Sequence, residues 1–196
     1  MTVMHRARLR PSLFASALVA VAALPGCAER QPDEPVAGVA QAGSGARARV
    51  DRVIDGDTLK ARLSDGRRRT VRVLGIDTPE TKKPDTPVEC GGPQASASME
   101  RLALTGSGYG AKGRDIVLIS DPTGDQVDRY GRILAYVEAG GRDLGEQMVA
   151  DGWAKVYAYQ GRRFQRRSRY EQAERGARSA GRGVHGECGG NFHSSR

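Results

Sequence analysis

The chain has 196 residues, with 31 Lys and Arg side chains against 23 Asp and Glu, and a formal net charge of +8. This length accommodates one domain with flanking segments and excludes an assembly of several large domains. Three histidines are present, none clustered with cysteines at the spacing of zinc ligands, which excludes a zinc site. The positive balance favours binding to a polyanion, although many basic proteins bind none.

Residues 1–26 have the pattern of a signal peptide. Arg6, Arg8 and Arg10 stand in a stretch without acids, and an uncharged apolar run of twelve residues, Leu13–Leu24, follows them. Such a run is too short to span a bilayer as a helix but suits a cleaved export signal. We therefore expect an exported protein, and no later stretch of the sequence is apolar enough to cross a membrane.

The sequence Leu24-Pro25-Gly26-Cys27 resembles the lipobox of bacterial lipoproteins, in which the cysteine is acylated and becomes the first residue. We expect lipidation at Cys27 and anchoring on the extracytoplasmic face of the cell membrane; the alternative is an ordinary signal peptide and a secreted protein. Residues 27–46 are rich in Pro, Gly and Ala without periodicity, which predicts a flexible tether. The folded domain is predicted over residues 47–196.

Alternating apolar and polar residues predict strands in the first half of this domain. Leu59, Ala61 and Leu63 alternate with polar residues, which is the period of a half-buried strand, and a turn follows at Ser64-Asp65-Gly66. On the third strand, Arg72 points to the face opposite its apolar neighbours. The five predicted strands are Ala48–Val53, 59–64, Arg69–Ile76, Ile116–Ile119 and Ile133–Val137.

Helical periodicity alternates with these strands. Apolar residues at i, i+4, i+7 and i+8 from Ala95 predict a helix that starts just after Pro93 and stops by Gly106. A second helix is predicted from about Arg142 to Asp151 and a third, weaker one over Phe164–Ala177, and residues 81–92 form a long loop. Five strands with a helix after the third predict an α+β fold, a five-stranded OB barrel with three helices.

Three acidic or basic motifs lie at predicted strand ends. They are Asp55-Gly56-Asp57-Thr58, Asp77-Thr78-Pro79-Glu80-Thr81 and Asp128-Arg129-Tyr130-Gly131-Arg132. The first is a weak signal alone, because Asp-Gly is a common turn. In the second, the proline fixes the turn and restricts the residue before it, so that its carboxylates are held rigidly. Rigid carboxylates at strand ends can hold a hard cation.

These motifs, in this order and at these separations, resemble the staphylococcal nuclease family. The resemblance extends to the predicted entry of the first helix, to the fifth strand and to the segment after the second helix: Gly92–Ser96, Tyr130–Tyr136 and Ala154–Val156. It runs from about Arg47 to Arg182. The family implies the same OB barrel that the periodicity predicts.

The resemblance implies a calcium site. The carboxylates of Asp57 and Asp77 and the backbone carbonyl of Thr78 are expected to ligate Ca²⁺. Hard oxygen ligands suit this ion, and water and substrate oxygens would complete its coordination shell.

The resemblance also implies three catalytic residues. Glu80 is expected to orient or deprotonate the attacking water, and Arg72 and Arg132 to clamp the phosphate. A guanidinium matches a phosphate with two parallel hydrogen bonds and stays charged, which a lysine does not reproduce.

Four further residues are expected to contact substrate. Tyr157 and Tyr159 straddle the position of a family tyrosine that contacts a phosphate, and either could serve. Arg129 takes the place of a family lysine before Tyr130 and keeps its charge. Tyr130 is itself a candidate contact, with an ordinary packing role as the alternative.

The implied activity is that of a calcium-dependent endonuclease, a hydrolase that cuts phosphodiester bonds of DNA and RNA and leaves 3′-phosphate products. The alternative is a nucleic-acid-binding OB module without catalysis, as in some Tudor nuclease proteins, and the complete acidic and arginine set counts against it. A surface protein whose nuclease activity is incidental to adhesion or DNA scavenging is a third interpretation. We expect a monomer.

Two features remain outside the predicted site. With Cys27 taken by lipid, Cys90 and Cys188 form an even pair in an oxidising compartment, which predicts a disulfide; free thiols or an intermolecular bridge are the alternatives. The stretch Arg162–Arg182 holds eight arginines against two glutamates. It is either a non-specific phosphate-binding face or a solvated helix.

Overall fold

The structure, a computed structural model, describes residues 45–82, 87–106, 108–190 and 192. The predicted signal peptide, Cys27 and nearly all of the predicted tether lie outside these ranges. Within them, no helix has the length and apolar character needed to cross a bilayer.

Ten strands and four helices make up the described chain. The strands are β1 (Ala46–Val53), β2 (Thr58–Leu63), β3 (Arg68–Val73), β4 (Ile76–Asp77), β5 (Leu104–Thr105), β6 (Lys112–Gly113), β7 (Asp115–Ile119), β8 (Ile133–Ala139), β9 (Arg142–Asp143) and β10 (Lys155–Val156). The helices are α1 (Gly92–Ala103), α2 (Leu144–Ala150), α3 (Arg167–Ser179) and α4 (Val184–Glu187). The three predicted helices are present, and the four-residue α4 was not predicted.

Five of the strands close into a barrel. β1 pairs antiparallel with β2 and β7, β2 with β3, and β7 with β8. A parallel pairing of β3 with β8, in which Val71 faces Ile133, closes the ring. Closure of an antiparallel sheet through one parallel pair is the OB arrangement, so the predicted fold is confirmed.

The alternating sequence of the strands fills the barrel. Ala46, Ala48 and Val50 of β1 are buried, whereas Arg47 and Arg49 between them are exposed. The core continues through the largest fully buried side chains, which are Tyr136, Tyr170, Leu59, Ile76, Met99, Leu118, Ile133, Leu144, Met148, Val71, Val73 and Val137. Removal of this apolar surface from water is the main favourable contribution to folding.

The prediction of one continuous third strand, Arg69–Ile76, is wrong. β3 ends at Val73, and Gly75 turns the chain with a φ of 84° that favours glycine. A Cβ at Gly75 would also lie 2.7 Å from the ring of Phe164. After this turn, β4 leaves the barrel and pairs with β10, where Lys155 faces Asp77.

A buried polar network joins the helices to the barrel. Asp143 caps α2 by accepting the backbone N–H of Glu146 at 3.1 Å, and both of its oxygens lie 3.0 Å from the Tyr170 hydroxyl of α3. Arg166 pairs with Asp143 at 2.6 Å and with Glu138 of β8 at 2.8 Å. Loss of one partner would leave a buried charge uncompensated, so this network fixes α2 and α3 against β8.

The predicted disulfide is present. Cys90 and Cys188 are bonded with a Cα separation of 5.8 Å and a sequence separation of 98. Cys90 lies just before α1 and Cys188 just after α4. The bridge therefore fastens the C-terminal part of the described chain to the start of α1.

We expect Cys188→Ser to lower the melting temperature by roughly 10 °C. The bridge closes a loop of about 100 residues, for which the chain-entropy model gives up to about 4–5 kcal/mol. Differential scanning calorimetry of wild type, variant and dithiothreitol-treated wild type measures this, and the last two should agree. Two reactive thiols among Cys90 and Cys188 in the native, non-reduced protein would contradict the bridge.

Candidate active site

The β1–β2 turn places Asp57 against the segment that follows β4. Asp57 is 7% exposed, and its Oδ1 accepts a hydrogen bond from the Thr58 hydroxyl at 2.9 Å. Its Oδ2 accepts the backbone N–H and the hydroxyl of Thr78, both at 3.2 Å. A Cβ at Gly56 would meet Thr78 at 2.8 Å, so the glycine permits this close approach. The structure thus brings together Asp57 and Thr78, two of the expected calcium ligands.

Arg72 connects the two predicted acidic ligands. Its Nη1 lies 3.0 Å from Asp57 Oδ2, and its Nη2 lies 2.9 Å from Asp77 Oδ1. Nη1 also donates to the backbone carbonyls of Val73 and Ile76, at 3.2 and 2.9 Å. The guanidinium is 14% exposed, so little solvent weakens these charge-assisted bonds. Asp57, Arg72 and Asp77 are therefore fixed as one unit.

Asp55 adds negative charge to this unit and was not assigned a role by the sequence analysis. Its Oδ1 accepts the backbone N–H of Asp57 at 3.1 Å. Burial, followed by the neighbouring Asp57 carboxylate, raises the pKa of Asp55 to about 6. Its position in the Asp55-Gly56-Asp57 motif was the available signal. The raised pKa reflects mainly the burial of this carboxyl and secondarily its closeness to Asp57.

The donor set fits an open site for a hard cation. Over the described ranges, no three His, Cys, Asp or Glu side chains are grouped so that they alone could hold a metal ion. Asp57 and Asp77 converge on one guanidinium, and Thr78 contacts Asp57. Two carboxylates and a carbonyl are hard donors that leave most of the 6–8 positions of Ca²⁺ to water and substrate. These residues therefore fit Ca²⁺ as an ion whose coordination shell the protein fills only in part.

Glu80 is held by backbone groups on both sides of the long loop. Its Oε1 accepts the N–H groups of Thr81 and Lys82, both at 2.8 Å. Its own N–H donates to Glu89 Oε2 at 2.8 Å, and its carbonyl accepts the Glu89 N–H at 2.9 Å. Glu89 precedes the disulfide residue Cys90, so the bridge and the Glu89 contacts fasten the segment that carries Glu80.

Arg132 is held by the acidic residue of its own motif. Its Nε donates to Asp128 Oδ2 at 2.6 Å, and its backbone N–H donates to Oδ1 at 3.0 Å. Burial alone would raise the pKa of Asp128, but hydrogen bonds from Arg132 and Tyr130 outweigh it and lower that pKa. Asp128 therefore stays ionised and keeps the arginine in place.

A cleft with a volume of about 540 Å³ contains Arg72 and Arg132, the two arginines that the sequence predicts to be catalytic. The predicted site residues that line it are Arg72, Asp77, Arg129, Tyr130, Arg132, Tyr157 and Tyr159. Asp57, Thr78 and Glu80 are not among its lining residues: Asp57 and Thr78 lie behind Arg72 and Asp77, and Glu80 is on the loop segment. The cleft thus presents five arginines, Arg162 and Arg163 included, and several aromatic rings beside the acidic unit.

The tyrosines of the cleft are accessible. Tyr130, Tyr157 and Tyr159 are 67%, 41% and 52% exposed. Arg129 donates to the Tyr130 hydroxyl at 2.8 Å, and its guanidinium carbon lies 4.9 Å from that ring's centroid. Exposed rings stack with nucleobases without sequence preference. Both Tyr157 and Tyr159 line the cleft, so neither is favoured by its position.

A further part of the cleft lining was anticipated only through its arginines, which belong to the stretch Arg162–Arg182. It includes Asp121, Thr123, Asp125, Arg162 and Arg163. Arg162 pairs with Asp125 at 2.9 Å across 37 residues of sequence. No local pattern signals such a pairing.

The arginine-rich stretch is used largely inside the domain. Arg166, Arg167 and Arg169 pair with acids of β8, α2, α3 and the cap of α2. Within α3 the structure favours the interpretation of a solvated, ion-paired helix. Arg162 and Arg163, which precede α3 in the same stretch, line the cleft instead.

The fold and the site together define an OB-barrel protein with carboxylates and two arginines at one end of the barrel. A family model described as "Staphylococcal nuclease homologue" matches residues 70–185. The chain belongs to this family. The match begins after Asp57, which is tied to the matched region by its contacts with Arg72 and Thr78.

Individual relatives agree with this assignment. The chain is 39% identical over 112 residues to "Endonuclease YncB" of Bacillus subtilis (strain 168), which covers 57% of this chain and 48% of that protein. It is 36% identical over 129 residues to "Thermonuclease" of Staphylococcus hyicus, covering 66% and 69%. A third relative is the "SPbeta prophage-derived endonuclease YokF" of B. subtilis, 39% identical over 112 residues, covering 57% and 34%. The chain thus spans about half or less of the two B. subtilis relatives.

Proposed function

We propose that this protein is a calcium-dependent nuclease that hydrolyses phosphodiester bonds of DNA and RNA and leaves 3′-phosphate products. The observation that carries the proposal is the position of Arg72. Its side chain pairs with both Asp57 and Asp77, and it lines the same cleft as Arg132. Family membership and relatives named as nucleases support it.

The chain's own residues supply recognition and proton transfer. Arg72 and Arg132 each present a guanidinium to the cleft, where they would bind the phosphate and offset the charge that develops in the transition state. Asp57, Asp77 and Thr78 would hold Ca²⁺, which supplies Lewis-acid polarisation of a phosphate oxygen when bound. Exposed tyrosines would stack on the bases and position the strand.

Glu80 would accept the proton of the attacking water. The water oxygen would form a bond to phosphorus as the bond to the 5′ oxygen breaks, and the leaving 5′ oxygen would take a proton from solvent, which yields a 3′-phosphate and a 5′-hydroxyl. The backbone bonds that hold the Glu80 carboxylate limit its freedom, so it would act from a fixed position.

A binding module without catalysis is the alternative function. It would share the cleft and the tyrosines but would not need Glu80 or a metal. Mutation of the catalytic set and removal of calcium therefore discriminate between the two.

Glu80→Ala and Arg132→Lys should each lower kcat by about 10²–10³-fold, because each removes a group that acts on the reacting atoms. Release of fragments from labelled single-stranded DNA measures this. The control variants Glu100→Ala and Arg142→Lys change exposed residues of α1 and β9 and should cleave like wild type. Undiminished cleavage by either site variant in a folded protein would refute the mechanism.

Chelation with EGTA should abolish cleavage, and added Ca²⁺ should restore it. The reason is that Asp57, Asp77 and Thr78 fill only part of a calcium shell, so the ion is exchangeable. Product end groups are read in the same assay with a phosphatase specific for 3′-phosphates. Full activity in excess EGTA would show that calcium is not the cofactor.

We also propose that Cys27 is lipidated and holds the enzyme on the extracytoplasmic face of the membrane. The support is the Leu24-Pro25-Gly26-Cys27 sequence after the apolar run. The monomeric state expected from the sequence stays a prediction.

Cys27→Ser should move the protein from the membrane fraction to the soluble fraction, because a lipid anchor contributes about 0.8 kcal/mol per buried CH₂. Immunoblots of both fractions measure this, with Cys188→Ser as the matched control that should stay with the membrane. An unmodified mature N-terminus elsewhere, found by mass spectrometry, would disprove lipidation.

A further inference from the structure

The excess positive charge of the protein is concentrated in one part of the barrel. Residues 45–73, which form β1, β2, β3 and their turns, contain nine basic and four acidic side chains, a net charge of +5 out of +8 for the whole chain. One of the nine is Arg72, which belongs to the candidate active site. Most of the others lie on the outer surface of the barrel.

The strand register aligns these cations in cross-strand rows. Arg49 faces Arg62, and Arg62 faces Arg68. In the next row, Arg52 faces Lys60. We call these five residues the meander face.

This alignment is not required by the fold. Like charges directly opposite on neighbouring strands are destabilising, and three arginines occupy one row. Two acids partly offset them: Asp51, at an irregularity in the register of β1, pairs with Arg62 at 3.4 Å and with Arg68 at 3.0 Å, and Asp115 of β7 pairs with Arg49 at 2.7 Å. The side chains of Arg62 and Arg68 are still 50% and 67% exposed. A cationic surface kept at some cost to stability indicates a polyanionic partner.

The meander face is continuous with the candidate active site. Arg68, Thr70 and Arg72 alternate along β3, and Thr70 lies opposite Lys60 in the register. Arg68 and Arg72 are four residues apart, which is about 13 Å along a strand. A nucleic-acid strand bound at Arg72 could therefore continue over the face.

We propose that the meander face binds the sugar-phosphate backbone of the substrate strand several nucleotides away from the bond that is cut. This inference rests on the proposed nuclease function. The outer surface of strands two and three is where OB barrels bind oligonucleotides. Contacts made only by charged side chains bind without sequence preference and depend strongly on salt.

A membrane surface fits this face less well than nucleic acid. A surface that enters a membrane by itself combines basic residues with inserted apolar side chains. A basic patch beside a lipid chain, such as the one proposed at Cys27, needs none, so that the vesicle measurement below is required. The exposed large apolar or aromatic residues of the described chain are Val88, Tyr109, Tyr130, Tyr157 and Tyr159, and none lies on β1, β2 or β3. The face is charged without an apolar component.

The test compares two variants that lose the same charge. The first, Arg52→Gln/Lys60→Gln/Arg62→Gln, removes three cations of the meander face. The control, Arg101→Gln/Arg142→Gln/Arg175→Gln, removes three exposed arginines of α1, β9 and α3. Fluorescence anisotropy in EGTA, over a range of salt concentrations, measures binding to a labelled single-stranded DNA of about 30 nucleotides.

The face variant should bind roughly 10- to 100-fold more weakly at low salt, and its slope of log K against log salt should be shallower by about 2. The control should show smaller changes in both quantities. A third variant, Arg52→Lys/Lys60→Arg/Arg62→Lys, keeps the charge and should bind like wild type, provided that all variants melt at similar temperatures. With Ca²⁺ added, the face variant should cleave a dinucleotide substrate at the wild-type rate.

Equal binding by the face variant and the control would overturn the proposal. So would a face variant that keeps its DNA affinity but loses binding to vesicles of phosphatidylglycerol and phosphatidylcholine, since the face would then serve a membrane. Binding is measured without hydrolysis, so these outcomes do not depend on the nuclease proposal. If wild type binds as expected but cleaves nothing in Ca²⁺, the nuclease proposal fails alone.

Discussion

The double ion pair of Arg72 with Asp57 and Asp77 is the interaction on which the candidate site depends. It joins the β1–β2 turn, the third barrel strand and β4 through one largely buried arginine side chain. Each carboxylate alone would be costly to keep ionised at this depth, and the arginine alone would be an uncompensated charge. The same contacts therefore stabilise this end of the barrel and hold the donor oxygens together, so that stability and site geometry cannot be varied independently here.

The turn at Gly75 connects the acidic wall of the cleft to its aromatic wall. Because the chain leaves β3 there, β4 can pair with β10, and the Gly75 carbonyl accepts the backbone N–H of Tyr157 at 2.9 Å. Phe164 packs against the position where a Cβ would stand. Asp77 and Tyr157 thus reach the same cleft through one backbone conformation that other residues rarely adopt. The turn at Gly75 therefore positions both β4, which carries Asp77, and Tyr157.

Local patterns predicted the barrel but not the departures from it. The alternation of Leu59, Ala61 and Leu63 is a property of neighbouring residues, and the five strands followed from such patterns. Ile76 continues the apolar character of β3, so that the sequence gives no sign that it pairs elsewhere; only the conformation of Gly75 decides this. The Arg162–Asp125 pair was also invisible, because its partners are brought together by the closure of the whole fold.

The proximity of Asp57, Arg72 and Asp77 was predictable because motif order and spacing carry information that single residues lack. Asp57 alone could have been a turn aspartate and Arg72 a solvated strand residue, and only their joint occurrence made a site the better interpretation. The converse holds for the arginines of α3, where composition suggested a phosphate-binding surface and individual pairings with Glu138, Asp143 and Glu146 used the charge internally. A charge count shows that a segment is basic, whereas the ion pairs in the structure show how much of that charge neighbouring acids already neutralise.

Burial divides the protein's cations into two populations with different responses to salt. Arg72 is 14% exposed and bound to two carboxylates, so dissolved ions screen its interactions little. Arg49 and Arg68 have side chains that are 64% and 67% exposed, and their attraction to a polyanion falls as counterions compete. In the proposed nuclease, ionic strength would therefore act mainly on how a long strand is captured and little on the geometry of the residues proposed to hold the reacting phosphate. A barrel of this size can separate capture from chemistry in this way because β3 carries both kinds of arginine, one at each end of the same row of outward-facing residues.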